Sequence, residues 1–285
     1  MEVIVGKLAG FCGGVINSVN KTHSILEEYG STYCLGELVH NKQVVDKLKK
    51  MGLVVIDGLD DIPNGVNLII RAHGVTKEIY KIAEDKSIHL FDLTCPKVLK
   101  IHEQAERYVN EGYFIVLVAQ KNHPEAIGTI SFCGRNSIIL ENEDELSSVF
   151  ELVKNSGIKK VAIISQTTFS VKKFEQYVEN LTNLLDDSFE LEINNTICSA
   201  TELRQKETKE IAERVDAMVI IGGKNSSNTK KLYELALDDC RKTFIIETLE
   251  DLVEDMSEYN VIGVMAGAST PKESIEEVVE YLKSC

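Results

Sequence analysis

The chain has 285 residues, 44% apolar and 27% charged, an ordinary balance for one or more folded domains. With 45 acidic against 31 basic residues its formal net charge is −14, which argues against nonspecific binding to nucleic acid or to anionic membranes. No run approaches the ~18 apolar residues of a membrane span, and the opening MEVIVGKLAGFCGG is not a secretion signal. A cytoplasmic protein is predicted, in which the seven cysteines serve as thiols or ligands rather than disulfides.

Short β-branched runs alternate with amphipathic stretches along the whole chain, the pattern of parallel α/β units. The first run, 2–8, ends in a glycine-rich turn that holds Cys12. A helical stripe of Val15, Val19 and Leu26 follows over 15–29, then strands at 32–36, 53–57, 66–71 and 88–92. A helix over 97–111, with Val98, Ile101, Ala105 and Val109 on one face, stops at Gly112. Strands at 113–119, 137–141, 160–165 and 189–193 come next, with a helix over 170–185 before the last of them. The final group is 217–222, 243–247 and 260–266. The last helix is expected to open with Thr270 as N-cap, Pro271 at the first helical position and Glu273 completing a capping box.

Counting the N-terminal strand with the last group gives three sets of four. Cys95, Cys198 and Cys12 each follow the fourth strand of a set. Third strands end at His73, Thr167 and Ser269. First strands run into His40, into His123 and Glu125, and into Ser226, Ser227 and Asn228. Ligands of parallel sheets bind at the carboxyl ends of strands. The repeat therefore predicts three small parallel-sheet α/β domains at 13–96, 97–194 and 195–285, the last completed by strand 1–12. Their motif-bearing loops should face one centre with pseudo-threefold symmetry.

By default a lone cysteine is a small buried hydrophobe, and Cys34, Cys133 and Cys240 fit that description, while Cys285 is terminal. Cys12, Cys95 and Cys198 differ, each lying past a strand end beside turn residues. Three thiolates can hold three irons of a four-iron cluster and leave the fourth open to a substrate oxygen. Of six histidines, His23, His89 and His102 sit within helix or strand patterns, whereas His40, His73 and His123 occupy strand ends. Ser226, Ser227, Asn228 and Ser269 read singly as helix caps. Together with His40 and His73 they suggest a diphosphate cradle. No Walker or GxGxxG loop accompanies them, so a nucleotide is not the favoured anion. Glu125, if partly desolvated, could deliver a proton, with Thr167 relaying it or orienting a substrate hydroxyl.

The stretches GFCGGV, ELVHNKQVV, RAHGV, DLTCP, NHPE, SQTT, ICSAT, GKNSSN and AGAS run in that order from residue 10 to 271. Together they resemble the 4-hydroxy-3-methylbut-2-enyl diphosphate reductase family of the non-mevalonate isoprenoid pathway. The resemblance implies a trefoil of three α/β domains around a [4Fe-4S] cluster, with Cys12, Cys95 and Cys198 as its ligands. It implies substrate contacts from His40, His73, His123, Ser226, Ser227, Asn228 and Ser269. Glu125 resembles the family's proton donor, assisted by Thr167. The substrate would be a small allylic diphosphate, and electrons would come from an external donor, a ferredoxin or flavodoxin, since no flavin or nicotinamide motif is visible. Gly13 and Ala126 stand where many members have Ala and Val.

Two rivals compete. A metal-dependent hydrolase could use the His and Glu loops, but it lacks an HExxH-type pair and leaves the cysteines unexplained. A non-enzymatic module binding a phosphorylated ligand would leave them equally idle.

Overall fold

The computed structural model describes residues 1–285. Twelve strands form, close to where the β-branched runs place them: β1 (Glu2–Val5), β2 (Thr32–Leu35), β3 (Leu53–Ile56), β4 (Asn67–Ile70), β5 (His89–Asp92), β6 (Phe114–Val118), β7 (Ser137–Leu140), β8 (Lys160–Ser165), β9 (Glu190–Ile193), β10 (Ala217–Ile221), β11 (Thr243–Ile246) and β12 (Val261–Ala266). They pair into three four-stranded sheets, ordered β3-β2-β4-β5, β7-β6-β8-β9 and β11-β10-β12-β1, with every pairing parallel. Numbered within its own set, each sheet has the order second, first, third, fourth. The N-terminal strand is the fourth strand of the last sheet, as the sequence repeat anticipated.

Burial explains the strand sequences. Central strands β6 (FIVLV) and β10 (AMVII) are buried along their whole length and read as continuous apolar runs, as strands covered on both faces must. Outer strands such as β9 (ELEI) are mostly exposed and carry charge, which discourages pairing with other chains.

Ten α-helices cover the sheets: α1 (Gly13–Tyr29), α2 (Lys42–Lys50), α3 (Lys77–Asp85), α4 (Pro96–Asn110), α5 (Pro124–Ile130), α6 (Leu146–Asn155), α7 (Val171–Leu184), α8 (Ser199–Ala212), α9 (Ser227–Asp239) and α10 (Lys272–Ser284). None is long and apolar enough to cross a membrane. The last differs from expectation. Its N-cap is Pro271 and no side chain caps it, so the capping box does not form. The Thr270 hydroxyl instead donates to the Ile221 carbonyl at 2.9 Å. A fully buried hydroxyl must find a partner, and a strand-end carbonyl satisfies it better than a helix opening one residue later.

By contacts the chain forms two compact units. The first comprises Met1–Ser24, Glu37–Gly52 and Ser199–Cys285, and the second Ile25–Gly36 and Leu53–Cys198. The first unit holds the sheet containing β1. The second holds the other two sheets, each with its own apolar core, one around Phe114, Leu140 and Ile163 and one around Leu68, Ile70 and Ala83.

Candidate active site

The three cysteines singled out by sequence occupy equivalent backbone positions. Cys95 N–H donates to the Ala72 carbonyl, Cys198 N–H to that of Thr167 and Cys12 N–H to that of Ala268, at 3.0, 3.0 and 3.1 Å. Each acceptor lies just past the third strand of its sheet, at or beside His73, Thr167 or Ser269. Each cysteine also immediately precedes a helix, Cys12 before α1, Cys95 before α4 and Cys198 before α8. These helices have 17, 15 and 14 residues, and a helix N-terminus favours a negatively charged group. All three residues are half-buried.

The remaining cysteines do not share this setting. Cys34 and Cys133 are core residues whose thiols burial pushes up to about 12. Cys240 closes α9 and points at backbone carbonyls, and Cys285 is exposed at the end of α10.

In the second unit the candidate residues form one connected chain. Cys95 is tied to Ala72, the neighbour of His73. The His73 ring lies edge-on to that of His123, centroids 5.5 Å apart. His123 caps α5, its Nδ1 accepting from Glu125 N–H at 3.2 Å, which leaves the proton of the neutral ring on Nε2. Glu125 in turn grips Thr167 twice: Oε1 accepts from the backbone N–H and Oε2 from the hydroxyl, both at 2.6 Å. The Thr167 carbonyl accepts from Cys198. Glu125 is only 2% exposed, and burial pushes its carboxyl up to about 7 against the opposing pull of the Thr167 hydrogen bonds. An acid poised there can give up a proton at neutral pH.

Gln166 holds this arrangement from behind. Its side-chain oxygen accepts from Gln120 N–H at 3.0 Å and its amide donates to Thr168 at 2.7 Å, locking the β8 loop to the β6 loop that leads to His123. The three histidines set aside by sequence lie elsewhere. His102 is a core residue stacked on Phe132, held neutral by burial, which lowers it to about 4. His89 lies within hydrogen-bond reach of Asn67, and His23 is half-buried within α1.

The first unit gathers the rest. Cys12 is tied to Ala268, and the next residue, Ser269, donates its hydroxyl to the His40 carbonyl at 3.1 Å. That carbonyl sits so close to Gly223 that a Cβ there would collide with it, so only glycine fits. Gly223 leads into Ser226, the N-cap of α9, whose hydroxyl accepts from Thr229 N–H at 3.3 Å. Ser227 and Asn228 open that helix from buried positions. Their side-chain polar atoms (the Ser227 hydroxyl and both amide atoms of Asn228) have no hydrogen-bond partner. Buried polar groups are rarely left so, and a ligand is one explanation for such groups. Their chemistry, a hydroxyl and an amide at a helix N-terminus, suits a phosphoryl oxygen.

Two supporting residues escaped the sequence reading. Asn41, beside His40, caps α2 by accepting from Val44 N–H at 3.1 Å; the pattern Asn-x-x-Val before an amphipathic run was the available signal. Arg204 in α8 had none, because its contacts are almost 200 residues away in sequence.

Comparison with known proteins points to one family. The family model described as LytB protein matches residues 3–283. The chain is 41% identical, over the full length of both, to 4-hydroxy-3-methylbut-2-enyl diphosphate reductase of Clostridioides difficile (strain 630). A solved structure of (E)-4-hydroxy-3-methyl-but-2-enyl diphosphate reductase, the terminal enzyme of the non-mevalonate pathway, matches all of both chains at 35% identity and a TM-score of 0.71. The E-1-hydroxy-2-methyl-but-2-enyl-4-diphosphate reductase of Plasmodium falciparum matches at 30% identity and a TM-score of 0.91, over 98% of this chain and 87% of the other.

Proposed function

We propose, since this chain belongs to the LytB protein family, that it reduces 4-hydroxy-3-methylbut-2-enyl diphosphate to isopentenyl and dimethylallyl diphosphates. Its relatives make it an oxidoreductase of the non-mevalonate pathway and give the hydrolase reading no support. The reaction consumes two electrons and two protons and releases water.

The observation that carries the reading is the buried Glu125 carboxyl, raised to about 7 and bonded at both oxygens to Thr167. Protonated below that pH, Glu125 donates through the Thr167 hydroxyl to the departing oxygen, and Thr167 turns to receive from Glu125 as it gives. The backbone bond from Thr167 N–H keeps the carboxyl aimed throughout. His123, with its proton on Nε2, and His73 beside it supply donors to the substrate. Ser226, Ser227, Asn228 and Ser269, with His40, hold the diphosphate. Hydrogen bonds to charged groups contribute about 1.5–3 kcal/mol each, so several together give most of the ground-state affinity.

Cys12, Cys95 and Cys198 are the protein ligands of a [4Fe-4S] cluster in this reading. The donor set fits: three half-buried thiols, each at a helix N-terminus and each hydrogen-bonded through its backbone in the same way. When bound, the cluster would supply electrons and Lewis-acid polarisation of the substrate hydroxyl. The electrons reach it from a separate donor protein of the ferredoxin or flavodoxin class.

The test is anaerobic purification followed by iron and acid-labile sulfide analysis and turnover of the allylic diphosphate with a chemical reductant. About four irons and four sulfides per chain, with isopentenyl and dimethylallyl diphosphates as products, are expected. A colourless protein with one metal and no sulfide would overturn the reading.

A further inference from the structure

Residues 6–12 lead from β1 to α1 and end at Cys12. A surface loop of this kind ordinarily leaves its backbone groups to water. Here two side chains of α8 take them instead. The Arg204 guanidinium donates from Nε to the Leu8 carbonyl and from Nη2 to the Gly10 carbonyl, both at 2.9 Å, and from Nη1 to Ala200 in its own helix at 3.2 Å. Glu207, three residues on and so on the same helix face, accepts from Lys7 N–H at Oε1 and from Leu8 N–H at Oε2, at 2.8 and 2.9 Å.

Four backbone groups within residues 7–10 thus end on one guanidinium and one carboxylate. Arg204 is only 3% exposed. A buried cation is costly unless its donors are used, and here the planar fork spends them on fixing the course of a loop. Gly10, which carries the second clamped carbonyl, has φ of +99° and makes the turn that no L side chain adopts easily. The loop's far end is fixed by the Cys12 bond to Ala268. The segment is therefore held by α8 on one side and by the end of β12 on the other.

The geometry points to Arg204 and Glu207 as positioning residues that preset the Cys12 thiol for ligation, so that the loop does not have to order itself when the cluster arrives. Their value as ligand positioners rests on the reading of Cys12 as a cluster ligand; the clamp itself does not.

Pulse alkylation of the apoprotein with iodoacetamide, read by mass spectrometry at Cys12 and Cys95, tests it. Cys95 serves as the internal reference because Arg204 and Glu207 do not hold its loop. Arg204→Met keeps bulk without donors, and Glu207→Gln turns one of the two accepting atoms into a donor. Both should raise the Cys12-to-Cys95 labelling ratio, by about tenfold if loop opening costs one charged hydrogen bond less. Arg204→Lys, with charge but no fork, should fall between them and wild type. Asp216→Asn is the control for general loss of stability: Asp216 accepts from Asn260 and Val261 N–H in the same unit, at the opposite end of β12. It should leave the ratio unchanged. In reconstituted protein, Arg204→Met should also release iron to a chelator faster than Asp216→Asn. A wild-type ratio in both Arg204→Met and Glu207→Gln, or an equal rise in Asp216→Asn, would overturn the clamp. A wild-type chain that binds no iron and sulfide would remove Cys12 from ligation while the labelling ratio still decides whether the clamp exists.

Discussion

The two groups of polar residues solve opposite problems. In the second unit, Glu125 is satisfied from within: both its oxygens are occupied by Thr167, and His123 holds the start of its helix. In the first unit, Ser227 and Asn228 are equally buried but keep polar atoms without partners. A group that must move a proton has to hold one geometry before substrate arrives, so its own fold completes it. A group that must grip an anion keeps its hydrogen-bonding capacity for that anion and costs the resting protein stability. Under the proposed function, satisfied and unsatisfied burial mark two kinds of functional residue.

The largest effects should come from the three cysteines proposed as cluster ligands. Cys198→Ser should abolish iron binding, whereas Cys34→Ser, a change in a core thiol with no ligand role, should leave the iron-to-protein ratio as in wild type. Iron lost from the Cys34 variant and kept in the Cys198 variant would reverse the assignment.

Glu125→Gln breaks the satisfied group with little change of shape. Turnover should fall by about 10²–10⁴-fold, the usual worth of general-acid assistance, with substrate affinity and iron content retained. Turnover at the wild-type rate would take Glu125 out of the mechanism.

Asn228→Ala probes the unsatisfied group, and its signature is a divergence. Substrate binding should weaken by about one to two orders of magnitude, the worth of one hydrogen bond to a charged group. The apoprotein's melting temperature should hold or rise, because a buried amide without partners has been removed. A drop in apoprotein stability as large as the loss in binding would show that Asn228 is an ordinary structural residue.

A final comparison separates the two groups by pH. The Glu125 carboxyl is raised from 4.5 to about 7 in the folded chain. Between those values the folded state holds a proton that the unfolded state has lost, so the wild type loses stability as pH rises. The stabilisation is complete below about 4.5 and gone above about 7, a span of about 3 kcal/mol at 1.36 kcal/mol per unit. Urea unfolding of the apoprotein should therefore show Glu125→Gln gaining on wild type from pH 5 to 7 and running parallel above it. Asn228→Ala should show no such pH-dependent gain. A constant gap between Glu125→Gln and wild type across that range would mean an ordinary carboxyl.

Local pattern alone determined much of this protein. Short β-branched apolar runs such as FIVLV and AMVII suit strands covered on both faces, and their recurrence with Cys95, Cys198 and Cys12 behind every fourth strand exposed the repeat. Because loops at strand carboxyl ends are set by strand positions, the strand-end placement of His40, His73, His123, Glu125 and Thr167 was legible with them. The start of α10 was not. Thr270-Pro271 with Glu273 has every local mark of a capping box, but the Ile221 carbonyl, 49 residues away in sequence, captures the hydroxyl first. Only the tertiary structure decided three further points: that Glu125 is buried with both oxygens bonded to Thr167, that Asn228 is buried without partners, and that Arg204 holds the Cys12 loop. Each depends on what lies across space from a side chain. Periodicity reports which face of an element turns inward, and it carries no information about the partner that waits there.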